Sequence, residues 1–391
     1  MIKIVFLGSF FSNDREKEIR KKSKGAVANA NNTFQKAILH GFSKHPDFKK
    51  KFEVDILNMP NIGAYPLKYK ELYFKNSIFT EHGINGVNLS FFNCIYIKHY
   101  FKYRKIKSSL KKLFKDIDEN TKIHFLVYDL YEPYLHALKE LKKEYKFRIS
   151  VIVPDLIGFT GAPNNFLYAY LTKLKRQKVY NELMVVDSFI LLCDSMKLQL
   201  PINDKPYIVV EGIYQNGKQE EFDKNSDEHI ILYSGALDER NGVINLLKAF
   251  SLIEEINYRL VLCGDGSARN IIEKAAAVDS RIIYKGQLPH NEILLLQKQS
   301  SLLVNPRLPI EEFTKYSFPS KTMEYMASGT PVLMYKLLGV PDEYFNHCFV
   351  LYDFSIDSLA KKIKEICNIP SNELLIKAVN AKRFILNEKN S

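Results

Sequence analysis

Short apolar runs alternate with helix-length segments along this chain of 391 residues, and that alternation most constrains its fold. In the first half, five runs bounded by polar turns have the length of buried strands, at 2–7, 52–57, 124–127, 148–153 and 189–193. Helices are predicted between them, at 27–43, 103–115, 133–145 and 166–182. Strands that alternate with helices form right-handed βαβ units, so a parallel sheet is expected.

The pattern restarts after a polar stretch at 216–228, which is interpreted as a linker or loop. Six more strands are predicted at 230–234, 259–263, 281–284, 302–304, 331–334 and 348–351, with helices at 242–254, 268–276, 293–298, 320–327 and 356–367. We therefore expect an α/β chain with two Rossmann-like, doubly wound domains, 1–206 and 207–370, and a helix in 371–391 that packs back toward the first. Since ligands bind outside the carboxyl ends of parallel strands, the site is expected in the cleft between the domains.

The positive charge of the chain lies in one half. The formal net charge is +12, and residues 1–210 hold 35 basic and 20 acidic side chains, an excess of +15. Residues 211–391 hold 21 and 24, which leaves −3. A basic surface of this kind favours an anionic partner, such as nucleic acid, a membrane surface or a phosphorylated substrate.

The cysteines and the apolar runs exclude several classes of protein. The five cysteines lie far apart and form no C-x-x-C pair; they are Cys94, Cys193, Cys263, Cys348 and Cys367. This spacing disfavours a zinc site or a disulfide framework, and it favours a reducing compartment. No run reaches the roughly 18 apolar residues of a membrane span. Residues 1–11 lack a cleavage site and are interpreted as a strand, so a cytoplasmic location is expected.

Residues 305–332, NPRLPIEEFTKYSFPSKTMEYMASGTPV, form the most informative segment. Ser317-Phe-Pro-Ser-Lys321 predicts a helix start, where serine caps the helix and proline fits the first turn. Free N–H groups at a helix start favour an anion. Glu324 follows one turn later, where a carboxylate accepts ribose hydroxyls in Rossmann-like sites. The alternative is an ordinary capped helix with a solvated Glu324.

Two glycine turns follow predicted strands of the second half. In YSGALDERNG, at 233–242, Gly235 permits close approach of a ligand and Arg240 is suited to a bidentate pair with a phosphate. In LCGDG, at 262–266, Gly264 opens a strand-to-helix turn. A solvated loop arginine and a plain tight turn are the alternative interpretations.

In this order the three segments resemble the donor-binding domain of glycosyltransferase family 4, retaining GT-B enzymes that use nucleotide-sugar donors. The resemblance covers 205–365, and 317–324 is especially similar to bacterial transferases of capsule, exopolysaccharide and O-antigen assembly. It implies that Glu324 binds the nucleotide ribose, that Arg240 holds the diphosphate and that 283–288 contacts the base. The donor-binding residues implied are Gly235, Arg240, Gly264, Tyr284, Gly286, Leu288, Tyr316, Ser317, Phe318, Ser320 and Glu324.

The chain departs from the family pattern at the sugar and phosphate contacts. Tyr316 stands eight residues before Glu324, where the family carries a second glutamate; Glu311 and Glu312 lie further upstream. Ala236 and Asn241 replace a usual arginine and lysine. Lys321 or Arg307 is expected to supply the missing positive charge.

No metal is expected, because GT-B enzymes supply the positive charge from the protein. A D-x-D triplet at 116–118 has the pattern of a metal–diphosphate site. It ends a lysine-rich helix, however, and is interpreted as a solvated turn.

The first half offers weaker signals. Gly8-Ser9 follows the first strand, and 29–32 (NANN) is interpreted either as an acceptor-hydroxyl site or as a capped helix with solvated amides. Asp129 and Asp155 follow the strands at 124–127 and 148–153 and are candidate catalytic residues, together with Arg240 and Lys321.

Aromatic residues interleave with lysine and arginine over 91–115. This composition suits an anionic membrane interface. A core helix with a solvated basic face is the alternative, and no nucleic-acid motif supports binding to DNA or RNA.

The expected function is retaining, metal-independent transfer of a hexose from a nucleotide sugar, a UDP-sugar by family precedent, to a lipid-diphosphate-linked glycan at the cytoplasmic membrane face. Front-face attack, with the leaving phosphate taking the proton, needs no protein base. No cofactor beyond the donor is expected, and a homo-oligomer is left open. The alternatives are a non-catalytic GT-B partner subunit and a GT-B nucleotide-sugar epimerase or hydrolase.

Overall fold

The chain divides into two compact units in a computed structural model, which describes residues 2–25, 27, 29–46, 48–118, 120–159, 166–214, 228–310 and 312–390. The N-terminal unit ends at Ile213 and the C-terminal unit begins at Tyr214. Residues 216–227 of the expected linker at 216–228 lie outside the described residues. Strand 207–209 pairs within the first sheet, so the N-terminal unit extends past residue 206, where the sequence placed its end.

The N-terminal unit is built on an eight-stranded sheet with helices between its strands. The strands described in this unit, of which β3 and β6 form a separate two-stranded sheet, are β1 (Ile2–Gly8), β2 (Phe52–Asn58), β3 (Tyr73–Phe74), β4 (Ser77–Glu81), β5 (Ile84–Asn88), β6 (Phe91–Phe92), β7 (Lys122–Tyr128), β8 (Arg148–Val153), β9 (Ser188–Leu191) and β10 (Tyr207–Val209). Its helices are α1 (Glu16–Lys22), α2 (Asn29–Lys44), α3 (Phe48–Lys51), α4 (Lys98–Asp116), α5 (Glu132–Leu141) and α6 (Phe166–Leu183).

The strand order of this sheet is β10-β9-β8-β7-β1-β2-β5-β4, and β4 pairs antiparallel with β5 while the other neighbours run parallel. The order reverses direction between β1 and β7, so the carboxyl ends of these two strands flank a crevice. Apolar side chains of β1, β2 and α2, among them Phe6, Ile56 and Leu39, fill a core on one face.

The hairpin of β4 and β5 and the small pair of β3 and β6 were not predicted from the sequence. In β5, Ile84–Asn88, buried positions alternate with more exposed ones, but the residue types do not follow the same alternation, since Gly86 and Asn88 are buried. A glycine, Gly86, sits within β5 because a Cβ there would lie 2.4 Å from the ring of Phe79 on β4. The hairpin thus extends the parallel sheet by an antiparallel edge.

The C-terminal unit contains a six-stranded parallel sheet of order β13-β12-β11-β14-β15-β16. Its strands are β11 (His229–Ser234), β12 (Tyr258–Cys263), β13 (Ile282–Gly286), β14 (Leu302–Asn305), β15 (Val332–Tyr335) and β16 (Phe349–Leu351). Its helices are α7 (Val243–Ser251), α8 (Arg269–Val278), α9 (His290–Gln299), α10 (Lys321–Ala327), α11 (Asp342–Phe345), α12 (Ile356–Cys367) and α13 (Ser371–Glu388). All six strands match sequence predictions to within two residues at either end.

The order of this second sheet reverses between β11 and β14, which places a second crevice at their carboxyl ends. Helix α7 presents Leu246 and Phe250 to the sheet, and both are fully buried. Fully buried apolar strands are typical of parallel sheets covered by helices on both faces.

The C-terminal helix α13 packs against α10 within the C-terminal unit. Its Phe384 meets Tyr344 of α11 edge to face at 5.1 Å between ring centroids. The chain returns to the start of the unit, since Tyr214 N donates to Lys389 O at 2.8 Å. Packing of this helix against the N-terminal domain stays a prediction.

Candidate functional site

In the C-terminal unit, the crevice at the end of β11 begins with two glycine turns whose backbones touch. Gly264 has a φ of +135°, and a Cβ there would lie 1.8 Å from the carbonyl oxygen of Gly235. Gly235 N donates in turn to Cys263 O at 2.9 Å. Any side chain at 264 would therefore push the two turns apart. The predicted glycines are required by this close approach of two backbones.

Glu324, on the first turn of α10, is mostly buried and tightly held. Its Oε1 accepts from Gln297 Nε2 at 2.6 Å and from Lys321 Nζ at 2.8 Å. Its Oε2 lies 3.8 Å from His290 Nδ1. The solvated glutamate of the alternative interpretation is therefore not what the structure has.

The charge of Glu324 is stabilised by its partners. Burial by itself would raise the pKa of Glu324, but the Lys321 charge and the hydrogen bonds from Lys321 and Gln297 outweigh burial. The pKa of Glu324 therefore lies below its usual value. An ionised carboxylate in a half-enclosed site is a strong hydrogen-bond acceptor for hydroxyl groups.

Buried hydrogen bonds tie α10 to the end of β11. Ser234 N donates to Tyr325 Oη at 2.7 Å, and Tyr325 Oη donates to Ser234 O at 3.1 Å. Gln297 Nε2 also donates to Ser234 Oγ at 3.3 Å. These contacts fix the position of Glu324 relative to the Gly235 turn.

Arg240 lies on a 3-10 turn, Glu239–Asn241, between β11 and α7. Its guanidinium carbon lies 5.6 Å from the centre of the Phe313 ring, and that of Arg307, just after β14, lies 5.4 Å from the same ring. Arg307 Nη2 donates to Asn241 Oδ1 at 3.1 Å. Arg307, one of two residues expected to supply missing charge, thus lies beside Arg240, whereas Lys321 pairs with Glu324.

The segment 317–320 differs from the expected serine-capped helix start. Helix α10 begins at Lys321, and the side chain of Ser320 makes no capping hydrogen bond. Ser317 Oγ is buried with no hydrogen-bond partner among the described residues, and Phe318 packs on Tyr344 at 5.1 Å. The capping prediction was wrong because Thr322 N bonds to Pro319 O, which closes the first turn through the backbone.

The remaining predicted donor residues lie on β13, in the loop that follows it and on the 3-10 turn that precedes α10. Tyr284 Oη donates to Gly264 O at 3.0 Å, and Gly286 has a φ of +64° with open space beside it. Leu288 lines a groove with Lys285 and residues of α9. Tyr316 ends a 3-10 turn, Glu312–Tyr316, and is half-buried; Glu311, another carboxylate considered, lies outside the described residues.

In the N-terminal unit, Asp129 and Asp155 follow the adjacent strands β7 and β8, as predicted. Asp129 has a φ of +72°, and its N–H donates to Ile152 O at 2.9 Å. Desolvation, together with the charge of Asp129, raises the pKa of Asp155 to about 6, although the Asp155 side chain reaches solvent. Desolvation also raises the pKa of Asp129. Two carboxyl groups of raised pKa at the end of a sheet are candidates for proton transfer or hydroxyl binding.

The NANN segment is structural at two of its asparagines. Asn32 is buried and its Oδ1 accepts from Phe11 N at 2.7 Å, which holds the loop after β1. Asn29 Oδ1 accepts from Arg20 Nη1 at 2.8 Å. The loop also depends on Tyr134, whose Oη donates to Gly8 O at 2.7 Å. The Asn32 amide is therefore neither solvated, as in the capped-helix interpretation, nor free to bind acceptor hydroxyls through Oδ1.

The basic aromatic segment 91–115 is divided between core and surface. Lys102 is fully buried, and its ammonium lies 4.1 Å from the centre of the Phe91 ring. Lys107 forms an ion pair with Glu140 of α5, and Lys111 forms one with Glu144, just after α5. Tyr96 and Tyr100 remain exposed, at 89% and 59%. Part of the predicted cationic face therefore neutralises carboxylates of the unit itself.

Sequence reasoning missed Gln297, Tyr325 and His290 as parts of the site. Gln297 is fully buried on α9, and a polar residue on the buried face of an amphipathic helix is the signal that would have found it. Tyr325 is likewise buried next to Glu324. His290 gave no signal, since it lies exposed at the start of its helix.

The 116–118 carboxylates form an exposed turn, in which Asp118 Oδ1 accepts from Asn120 N at 2.8 Å. No group of three histidine, cysteine, aspartate or glutamate side chains suited to a metal occurs in the part of the chain that is described. Within the same part, no helix has the length and apolarity needed to cross a bilayer.

Comparisons with known proteins bear on the site. Residues 215–383 match the sequence model of the family described as Glycosyl transferases group 1. No curated protein matches the chain.

Solved structures that resemble the chain are GT-B transferases. Sucrose-phosphate synthase of Thermosynechococcus elongatus has a TM-score of 0.63 at 16% identity, covering 99% of this chain and 95% of that one. The lipopolysaccharide outer core galactosyltransferase WaaB has 0.60 at 13%, covering 98% and 95%. Anabaena Alr3699/HepE, solved in complex with UDP, has 0.60 at 13%, covering 100% and 96%. The chain therefore has the GT-B fold, with two Rossmann-like units.

Proposed function

We propose that this chain is a retaining glycosyltransferase that moves a hexose from a UDP-sugar to a hydroxyl of a lipid-diphosphate-linked glycan, in bacterial surface polysaccharide synthesis. The observation that carries the proposal is the Glu324 carboxylate, held ionised by Lys321 and Gln297 beside the end of β11. It lies in the region that matches glycosyl transferases of group 1.

In the proposed donor site, the charged side chains that meet the donor would already be in position before it binds. Glu324 would accept the two ribose hydroxyls, as carboxylates do in Rossmann-like nucleotide sites. Arg240 would meet the diphosphate, where negative charge grows on the β-phosphate oxygen as the sugar leaves. Cations and N–H groups fixed at the place where charge develops are usually the largest catalytic contribution.

The acceptor would bind the N-terminal unit, at the ends of β7 and β8. Asp129 and Asp155 would hold acceptor hydroxyls, and front-face attack would let the leaving phosphate take the proton. This route needs no protein base and no metal, and it retains the configuration at the anomeric carbon. UDP as the nucleotide is supported by the UDP complex of the Anabaena structure, and a lipid-linked glycan by the name of WaaB.

Attachment to the cytoplasmic face of the membrane is part of the proposal. The excess of +15 over residues 1–210 and the exposed tyrosines Tyr96 and Tyr100 support it. Aromatic rings at the headgroup level together with cations on lipid phosphates are the usual means of such binding.

The test is a transfer assay with UDP-, GDP-, ADP- and dTDP-hexoses and a synthetic polyprenyl-diphosphate-linked sugar. We expect one donor class to give a disaccharide product, with the anomeric configuration retained by NMR, and E324A and R240A to lose most of the activity. An inverted product would contradict the retaining mechanism. Near-normal transfer by both variants would contradict the site assignment.

A non-catalytic GT-B partner subunit is the second candidate, and Tyr316 favours it, because tyrosine cannot supply the carboxylate found at that position in the family. This alternative predicts nucleotide binding without turnover of any donor. A GT-B epimerase or hydrolase would instead convert the donor with no acceptor present, which the same assay detects.

A further inference from the structure

Two arginine guanidiniums share one aromatic ring at the end of the second sheet. Arg240 and Arg307 lie 5.6 and 5.4 Å from the centre of the Phe313 ring, measured from the guanidinium carbons. The residues come from different loops, one after β11 and one after β14. Their like charges repel each other. The Asp238 carboxylate, 3.8 Å from Arg240 Nη2, offsets part of the charge of Arg240.

Arg307 carries a charge that no carboxylate neutralises among the described residues. Its Nη2 donates to Asn241 Oδ1 at 3.1 Å, and its guanidinium lies over the Phe313 ring. Burial lowers the pKa of Arg307, Tyr233 opposes that lowering, and the charge of Arg240 adds a smaller lowering of its own. Arginine nevertheless stays protonated in proteins, so this is a persistent, half-buried positive charge.

The neighbourhood of Arg307 is built rigidly. A Cβ on Gly242 would lie 1.8 Å from the Pro306 carbonyl oxygen, so the loop of Arg240 presses directly on the backbone next to Arg307. Asn241 Nδ2 donates to Ala236 O at 3.0 Å while its Oδ1 accepts from Arg307. Asn241 therefore links the Gly235 turn to the Arg307 guanidinium.

The location is the crevice where the strand order reverses, between β11 and β14, and open α/β sheets bind their ligands at such places. We propose that Arg307 binds a phosphate of the nucleotide donor together with Arg240, and that Asn241 is the residue that positions it. This inference rests on the proposed function, since it names the group that recognises the diphosphate of that donor.

The experiment measures affinity for UDP, ADP and GDP and for the corresponding nucleosides by calorimetry, in the full chain. For the diphosphate that binds wild type best, we expect R307Q to lower affinity about 10- to 100-fold, the range of a lost hydrogen bond to a charged group. Affinity for the nucleoside should change less than about 2-fold, since a phosphate contact does not touch base or ribose. R307K should fall between, because lysine keeps the charge without the planar fork.

N241D separates a phosphate role from a structural one. The aspartate is nearly isosteric and would pair with Arg307, which neutralises the guanidinium while keeping it in place. N241D loses the hydrogen bond from Nδ2 to Ala236 O, so we expect a lower melting temperature than wild type, and in the folded variant weaker diphosphate binding with nucleoside binding unchanged. R259Q serves as the matched control, because Arg259 lies at the amino end of β12 and pairs with Glu228 at 2.8 Å.

The outcomes distinguish the two proposals. Wild-type chain that binds none of the diphosphates would overturn both. Diphosphate affinity that is unchanged in folded R307Q and N241D would overturn the role of Arg307 and leave the proposed function standing. If R307Q fails to fold, the comparison of R307K and N241D with R259Q decides the question in the same way.

Discussion

The carboxylate of Glu324 is oriented in advance, because two donors hold its Oε1 on one side. Its Oε2 lies 3.8 Å from Nδ1 of the His290 ring. The two hydrogen bonds position the carboxylate through Oε1, and the proposed function assigns Oε2 to the ligand. Lys321, predicted from the sequence to be catalytic, donates to Glu324 Oε1 and so helps to position it, and its catalytic role stays a prediction.

Replacing Glu324 by glutamine tests this division at the residue level. E324Q keeps the shape but removes the charge, so we expect the affinity for nucleoside diphosphate to fall about 10-fold or more, with a similar loss for the nucleoside. The matched control is E273Q, on α8, where Glu273 forms an exposed pair with Arg269. Calorimetric titration of both variants measures the effect, and equal affinities would contradict ribose binding by Glu324.

Asp155 gives a prediction about pH. Its pKa is raised to about 6 from the model-compound value of 3.8, by desolvation and by the Asp129 charge. Because the folded state holds the proton more tightly, the stability contributed by this group is complete below pH 3.8 and is lost as pH rises through about 6. Carboxyl-carbon NMR should show Asp155 titrating near pH 6, and its midpoint should fall in D129N.

The same sign holds for unfolding experiments. The free energy of unfolding of wild type, relative to D155N, should decrease between pH 4 and pH 6. A midpoint for Asp155 near the ordinary aspartate value, unmoved by D129N, would show that the two carboxyl groups do not interact.

At the scale of elements, the close contact of the two glycine turns predicts unequal costs of substitution. G286A places a Cβ in open space, so only the positive φ should lower the free energy of unfolding, by about 1–2 kcal/mol. G264A adds to that a clash with the Gly235 carbonyl oxygen and should be more destabilising. Urea unfolding of the two variants measures the difference, and equal destabilisation would mean that the turns separate freely.

The sheet of the C-terminal unit was predictable because its strands are short, mostly apolar runs between clear helices, and β14 and β15 are buried along their whole length. The β4 and β5 hairpin was not, since Gly86 and Asn88 interrupt it and its pairing depends on the fit of Gly86 against Phe79. The helix start at Ser317 was misjudged for a similar reason. A serine before a helix is a capping signal, but Pro319 provides the carbonyl that closes the turn.

The position of a candidate site residue was predictable where it is a charge or a glycine in a loop or at a helix start, as with Arg240, Gly264 and Glu324, while the binding roles of all three stay predictions. It was not predictable where the contact joins distant segments, as when Gln297 of α9 reaches Glu324. Sequence spacing gives neighbours along one helix, whereas a pairing between two helices is decided by the packing of the sheet.

At the scale of the whole molecule, the unequal charge predicts binding to acidic membranes. We expect the chain to sediment with vesicles of phosphatidylcholine and phosphatidylglycerol more than with phosphatidylcholine alone, and the difference to shrink as salt is raised. The double variant Y96S/Y100S should bind less, because these exposed tyrosines supply the apolar part of the contact.

The control for this experiment is Y352S, since Tyr352 is similarly exposed, at 68%, but lies in the near-neutral C-terminal unit. Sedimentation that depends neither on lipid charge nor on Tyr96 and Tyr100 would leave the basic half without a membrane role. The charge would then be better explained by an anionic acceptor in solution.

The C-terminal unit begins and ends at one point, because Tyr214 N donates to Lys389 O and Tyr214 bridges Asn390. A unit whose two ends lie side by side tolerates insertion into another chain or circular permutation, because its ends can be joined without bending a strand or a helix. Under the proposed function, replacement of this unit would change the donor that is bound and leave the strands and loops of the N-terminal unit unaltered.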